Sequence, residues 1–192
     1  MFQVRLHGRG GQGVVSGAEM LSIAAFLEGR HAQAFPSFGS ERMGAPVMAF
    51  CRIDGREIRL REPVIEPDAL VVQDPTLLHQ VDVFNGLHAN GYILINSTRS
   101  FAELGLGEFA RDFHPYRLCA VPATELALEH VGRPVPNAAL LGGFAAVTGA
   151  VRLESLETAI RQKFSGKVAE GNVAAARAAF ELARRAQEAA DA

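Results

Sequence analysis

The run Gly8-Arg9-Gly10-Gly11-Gln12-Gly13 leaves the chain few folds to choose from. It follows an extended stretch at 2–6 and opens a helix-length apolar run at 14–27 that carries Val14, Ala18, Leu21, Ile23, Ala25 and Phe26. Strand, tight glycine turn and helix, in that order, begin an α/β sheet. The glycines permit close backbone approach, and the amides at the start of the helix attract a phosphate or carboxylate. Arg9 adds a charged donor. Gly8, Arg9, Gly10, Gly11, Gln12 and Gly13 are therefore candidate binding residues for an anionic cofactor. The plainer alternative is that the glycines only let strand, loop and helix pack closely. A dinucleotide site also needs an acidic residue about 20 positions on, at the end of the second strand. That region offers Arg30, His31 and Phe35-Pro36-Ser37, with Glu28 too early and Glu41 too late, so the NAD signature is incomplete.

The rest of the chain continues the alternation. Strands are predicted at 31–35, 47–53, 69–73, 92–96 and 116–121, and helices at 76–87, 123–131, 138–148, 156–164 and 173–190. Asp54-Gly55 predicts a hairpin between 47–53 and a further strand at 57–60. Asn137 stands where a helix cap belongs. With no linker, repeat or charge run, residues 1–192 read as one α/β domain, a Rossmann-like, mostly parallel sheet with flanking helices and one antiparallel hairpin.

Nineteen Lys and Arg against 21 Asp and Glu provide no bulk field for nucleic acid or an anionic membrane, so neither is expected as a partner. Cys51 and Cys119 stand far apart without a second nearby cysteine, which excludes a CxxC zinc site and an iron–sulfur ligand set on this chain. No apolar run reaches the ~18 residues of a membrane span. The opening residues lack the order of a signal peptide, so a cytoplasmic protein is expected.

Taken with Ser37-Phe38-Gly39-Ser40-Glu41-Arg42-Met43-Gly44-Ala45-Pro46-Val47, the glycine loop resembles the gamma subunit of the pyruvate and 2-oxoacid:ferredoxin oxidoreductases. Pro67-Asp68-Ala69-Leu70 and Pro136-Asn137-Ala138-Ala139-Leu140-Leu141-Gly142 follow in family order, so the resemblance covers nearly the whole chain. Met43 departs from the family, which commonly carries Arg or another residue there. The resemblance implies a subunit, inactive alone, of an enzyme that decarboxylates a 2-oxoacid oxidatively to acyl-CoA. Thiamine-binding alpha and beta subunits and a ferredoxin-like subunit would carry thiamine diphosphate, Mg and [4Fe-4S] clusters. Coenzyme A (CoA) would contact the glycine loop and Arg42. A stand-alone nucleotide-binding oxidoreductase is the competing reading.

Several other side chains set a functional reading beside a plainer one. Gln12 presents its amide to a ligand or braces the loop. Arg42 recognises an anion, pairs with a carboxylate across a subunit contact, or is simply solvated. His7, at the end of the first strand, reads as a satisfied structural histidine rather than a ligand contact. Ser37, Ser40 and Glu41 have no neighbouring histidine to make a hydrolytic triad. Cys51 and Cys119 lie in apolar strands and read as inert thiols. The alanine-rich terminal helix packs on its own domain or forms a seam with a partner.

Overall fold

The computed structural model describes residues 1–37 and 42–192. Strands β1 (Phe2–Arg9), β2 (His31–Pro36), β3 (Pro46–Asp54), β4 (Ala69–Val72), β5 (Tyr92–Asn96) and β6 (Leu118–Val121) form one sheet in the order β2-β3-β1-β4-β5-β6. The pairs β1–β4, β4–β5 and β5–β6 are parallel, and β3 runs antiparallel to both β1 and β2. The expected Rossmann-like, mostly parallel α/β sheet is thus present. Its hairpin is β2–β3, however, and not the one predicted at Asp54-Gly55. Both edges of β3 are occupied, by β1 and β2, so residues 57–60 cannot pair with β3 as a hairpin partner.

Helices α1 (Val14–Leu27), α2 (Gly107–Ala110), α3 (Ala123–Val131), α4 (Asn137–Thr148), α5 (Leu153–Lys163) and α6 (Gly166–Asp191) complete the chain. Strand alternation divides the sheet into two faces. Val4 and Leu6 of β1, Cys51 and Ile53 of β3, Val71 of β4 and Leu94 of β5 point into one core with α1, α4, α5 and α6. Val72, Ile93 and Ile95 point the other way, into a smaller cluster with Leu77, Val83, Leu104 and Phe113 from the connecting segments.

That second face explains a helix that does not form. In place of a helix over 76–87 the chain makes one 3₁₀ turn, Pro75–His79, and then irregular turns. The Val83 carbonyl, which a helix over 76–87 would pair with Leu87 N, and the Asn85 carbonyl of the same segment accept from the buried Arg5 guanidinium at 2.9 and 2.5 Å. Gly86 has φ +78°, with the Ile65 carbonyl where a side chain would stand. The second parallel crossover is accordingly irregular rather than βαβ. The predicted strand at 116–121 is shortened in the same way, because Pro115–Arg117 forms a 3₁₀ turn ahead of β6.

The terminal helix starts at Gly166, well before the predicted residue 173. Its small residues face its own fold. Ala169, Ala175, Ala176, Ala179 and Ala183 are buried, and the Ala176 carbonyl lies where a Gly142 side chain would be, so α4 and α6 approach at backbone distance. No helix among the described residues is long and apolar enough to cross a membrane.

Candidate functional site

β1 returns through α1 to β2 on one side, while β4 lies on its other side, so the C-terminal end of β1 sits at the switch point of the sheet. In open α/β sheets that crevice is where ligands bind. The glycine loop fills it. Gly13 has φ +70° and stands at the N-cap of α1, which has neither a side-chain cap nor an acidic residue in its first turn. The positive end of α1 is therefore uncompensated by its own helix.

Each glycine of the loop meets protein atoms. A side chain on Gly8 would meet Val14 and Gln12, one on Gly11 (φ +91°) Met43, and one on Gly13 Asn137. At Gly10 the neighbour is the Arg42 backbone, and the approach is fixed by Gly10 N donating to Ala45 O at 2.9 Å and Gly44 N to Gly10 O at 3.0 Å. The sequence candidates Gly8–Gly13 and Arg42 are thus brought together. Arg42 and Gly11 are exposed, and Gln12 and Gly13 half-buried. Phe38, Gly39, Ser40 and Glu41 of the second family motif lie outside the described residues; Ser37 is half-buried and donates its amide to Met48 O at 2.9 Å.

Arg9 is committed within the chain. Its Nε donates to Asp74 Oδ2 at 3.1 Å, one terminal nitrogen to Gly44 O at 3.1 Å, and the other to Thr76 Oγ1 and Gln80 Oε1 at 2.8 and 2.9 Å. Gln12 braces the loop: its Oε1 accepts from Arg9 N at 2.8 Å and its Nε2 donates to Asp74 Oδ2 at 2.9 Å. Sequence reasoning missed Asp74 as a member of this site. Its only signal is position, since an Asp before Pro just past a buried parallel strand sits at the carboxyl end of the sheet, where ligands gather. Burial would raise the Asp74 carboxyl, but hydrogen bonds from Thr76 and Gln12 and the Arg9 charge outweigh it and hold it below the usual carboxylate range.

Behind the loop runs a buried polar ladder. Gln73 Nε2 donates to Gln12 O at 2.8 Å, and Asn96 Nδ2 donates to Gln73 O and Thr124 Oγ1, both at 2.8 Å. Asn137 is not a cap. It is the first residue of α4, is buried, and donates from Nδ2 to Gly13 O at 3.1 Å while its Oδ1 accepts from Ala138 N at 2.8 Å. His7, buried beneath the loop, accepts from Arg5 Nε at 3.0 Å; burial and the Arg5 charge push it down to about 3, so it is neutral.

Cys51 and Cys119 are buried thiols on β3 and β6, pushed up by burial to about 12 and about 11. Among the described residues no group of three His, Cys, Asp or Glu side chains is placed to hold a metal ion. Metal clusters therefore have no fitting ligand set there. The competing dinucleotide reading meets a geometric obstacle. The strand after α1, whose end would hold the ribose, is separated from β1 by the antiparallel β3.

Residues 3–182 match the family model described as pyruvate ferredoxin/flavodoxin oxidoreductase. The chain is 50% identical over 181 residues to the pyruvate/ketoisovalerate oxidoreductases common subunit gamma of Pyrococcus abyssi, covering 94% of this chain and 96% of that protein. It is 46% identical over 180 residues to the pyruvate synthase subunit PorC of Methanocaldococcus jannaschii, with the same coverage. Among solved structures it resembles the pyruvate oxidoreductase subunit PORC of Thermotoga maritima, with TM-score 0.78 and 37% identity over 94% of this chain and 95% of that one.

Proposed function

Because this chain belongs to the pyruvate ferredoxin/flavodoxin oxidoreductase family, as a gamma subunit of a 2-oxoacid:ferredoxin oxidoreductase, we propose a division of labour within that complex. Thiamine-binding alpha and beta subunits and a ferredoxin-like subunit carry thiamine diphosphate, Mg and the [4Fe-4S] clusters. They decarboxylate the 2-oxoacid and pass two electrons to the acceptor, and the acyl group leaves as acyl-CoA. Bound by those partner subunits, thiamine diphosphate would supply the electron sink for the decarboxylation. This chain contributes subunit contacts and one wall of the CoA path, and works in the cytoplasm as a single domain.

The observation that carries the CoA assignment is the uncapped start of α1 at the switch point of the sheet. A phosphate there meets oriented amides and the positive end of a 14-residue helix, with the exposed Arg42 close to the loop. Arg9 supports the loop from within, because its donors already serve Asp74, Gly44, Thr76 and Gln80.

Two experiments test this reading. Anoxic affinity purification of the tagged chain should recover a brown complex with thiamine-binding and cluster-bearing partners; a colourless, solitary protein contradicts the division of labour. Adding CoA to that complex should slow amide exchange over residues 8–16 and 42–45. Unchanged exchange there, under saturating CoA, removes the glycine loop from the CoA path.

A further inference from the structure

The Asp74 carboxylate divides its two oxygens between two structures. Oδ1 accepts from Thr76 N at 3.0 Å and Thr76 Oγ1 at 2.6 Å, capping the 3₁₀ turn after β4. Oδ2 faces the glycine loop and accepts from Arg9 Nε at 3.1 Å and Gln12 Nε2 at 2.9 Å. Gln12 Oε1 then accepts from Arg9 N, which closes a ring of contacts: Asp74, the Arg9 side chain, the Arg9 amide, Gln12, and Asp74 again. The side chains of Arg9 and Asp74 are only 19% and 15% exposed, so the pair is partly shielded from water and salt.

We propose that Asp74 is the positioning residue of the glycine loop, fixing Arg9 and Gln12 together so that the amides at the start of α1 hold one orientation toward CoA. Asp74 acts through its neighbours and is not itself a CoA contact, since its negative charge would repel a phosphate. The Arg9 fork carries the same constraint outward to Gly44 O and Gln80, so the loop, the 42–45 turn and the 3₁₀ turn move as one unit. Its consequence for CoA rests on the reading of the loop given above.

Asp74→Asn separates the two halves of the carboxylate. Asparagine caps a turn as well as aspartate does, so Thr76 N keeps its acceptor. Its amide nitrogen then faces Arg9 and Gln12, donor against donor, and the loop half is lost.

The test is Asp74→Asn in the assembled oxidoreductase, read by amide exchange over residues 8–16 and 42–45 and by steady-state kinetics. The expected result is faster exchange in both segments. CoA KM should rise about tenfold, the scale of one lost charge-assisted hydrogen bond, with kcat and the 2-oxoacid KM nearly unchanged. Asp74→Glu, which keeps a carboxylate, should recover part of the protection and of the CoA KM. Unchanged exchange in Asp74→Asn overturns the positioning role. Faster exchange with an unchanged CoA KM upholds positioning and overturns the CoA reading instead. Should Asp74→Asn fail to assemble, Gln12→Leu breaks the same ring without touching the turn cap and is read by the same outcomes.

Discussion

A side chain on Gly10 would place its Cβ 2.1 Å from the carbonyl oxygen of Arg42. The middle glycine of the loop therefore makes room for this chain's own backbone, and the two candidate segments, 8–13 and 42–45, form one site because nothing larger than hydrogen fits between them. Gly10→Ala should destabilise the fold by roughly 2–4 kcal/mol, since neither backbone segment can yield as a flexible side chain would. Gly29 is a useful contrast: it has φ +78° but open space around it, so Gly29→Ala should lose only about 1 kcal/mol from backbone strain. Urea unfolding of both variants measures the difference.

Asn137 ties the start of α4 to the Gly13 carbonyl, 124 residues away in sequence. Asn137→Asp keeps the shape and the acceptor for Ala138 N but sets a carboxylate oxygen against the Gly13 carbonyl. With the residue only 2% exposed, the clash of acceptors should lower stability by about 2–3 kcal/mol, more than the shape change alone accounts for. Thermal unfolding at neutral pH is the measurement, and equal stability of variant and parent would dismiss the tie.

Arg5 is buried on the face of the sheet opposite α1, α4, α5 and α6, and four carbonyls, of Val64, Ile65, Val83 and Asn85, accept from its guanidinium. Arg5→Leu fits an apolar strand but leaves those carbonyls without their donor. A loss of roughly 3 kcal/mol is expected, together with protease sensitivity in segments 62–66 and 81–87, which Arg5 holds against the sheet. Limited proteolysis locates the effect, and cleavage elsewhere would contradict it.

Stability should also fall with pH in a defined window. Folded His7 titrates at about 3, lowered by burial and then by Arg5, against an ordinary value of 6.5. Between these values the unfolded chain holds the proton and the folded chain does not. Folding is therefore penalised as pH drops below 6.5, by at most about 1.4 kcal/mol per pH unit. Above pH 5 the lowered carboxylates Glu28 and Asp74 are still ionised in both states and add little slope. His7→Gln, which retains an acceptor for Arg5, should flatten unfolding free energy between pH 5 and 6.5. A slope that survives the substitution assigns the effect to another group.

Much of this was legible in the sequence where local chemistry decides. The glycine run after an extended stretch placed β1 and α1, and the helix-length stretches at 123–131 and 138–148 placed α3 and α4. What escaped was set by partners distant in sequence. Asp54-Gly55 has hairpin chemistry, but β3 has no free edge once β1 and β2 flank it. Residues 76–87 have a helical length, but Arg5 takes two of their carbonyls. Arg9 looked like a donor waiting for an anion because Asp74, Thr76 and Gln80 lie 65 to 71 residues away. Asn137 looked like a cap for the same reason, its partner being Gly13.

The most direct test of the account is 2-oxoacid- and CoA-dependent reduction of a viologen dye under anoxic conditions. It is measured with this chain alone, with the partner subunits alone, and with the two recombined. No turnover is expected from the chain alone, and turnover that depends on CoA is expected when it is recombined with its partners. Turnover by the chain alone, or full CoA-dependent activity from the partners without it, would contradict the division of labour.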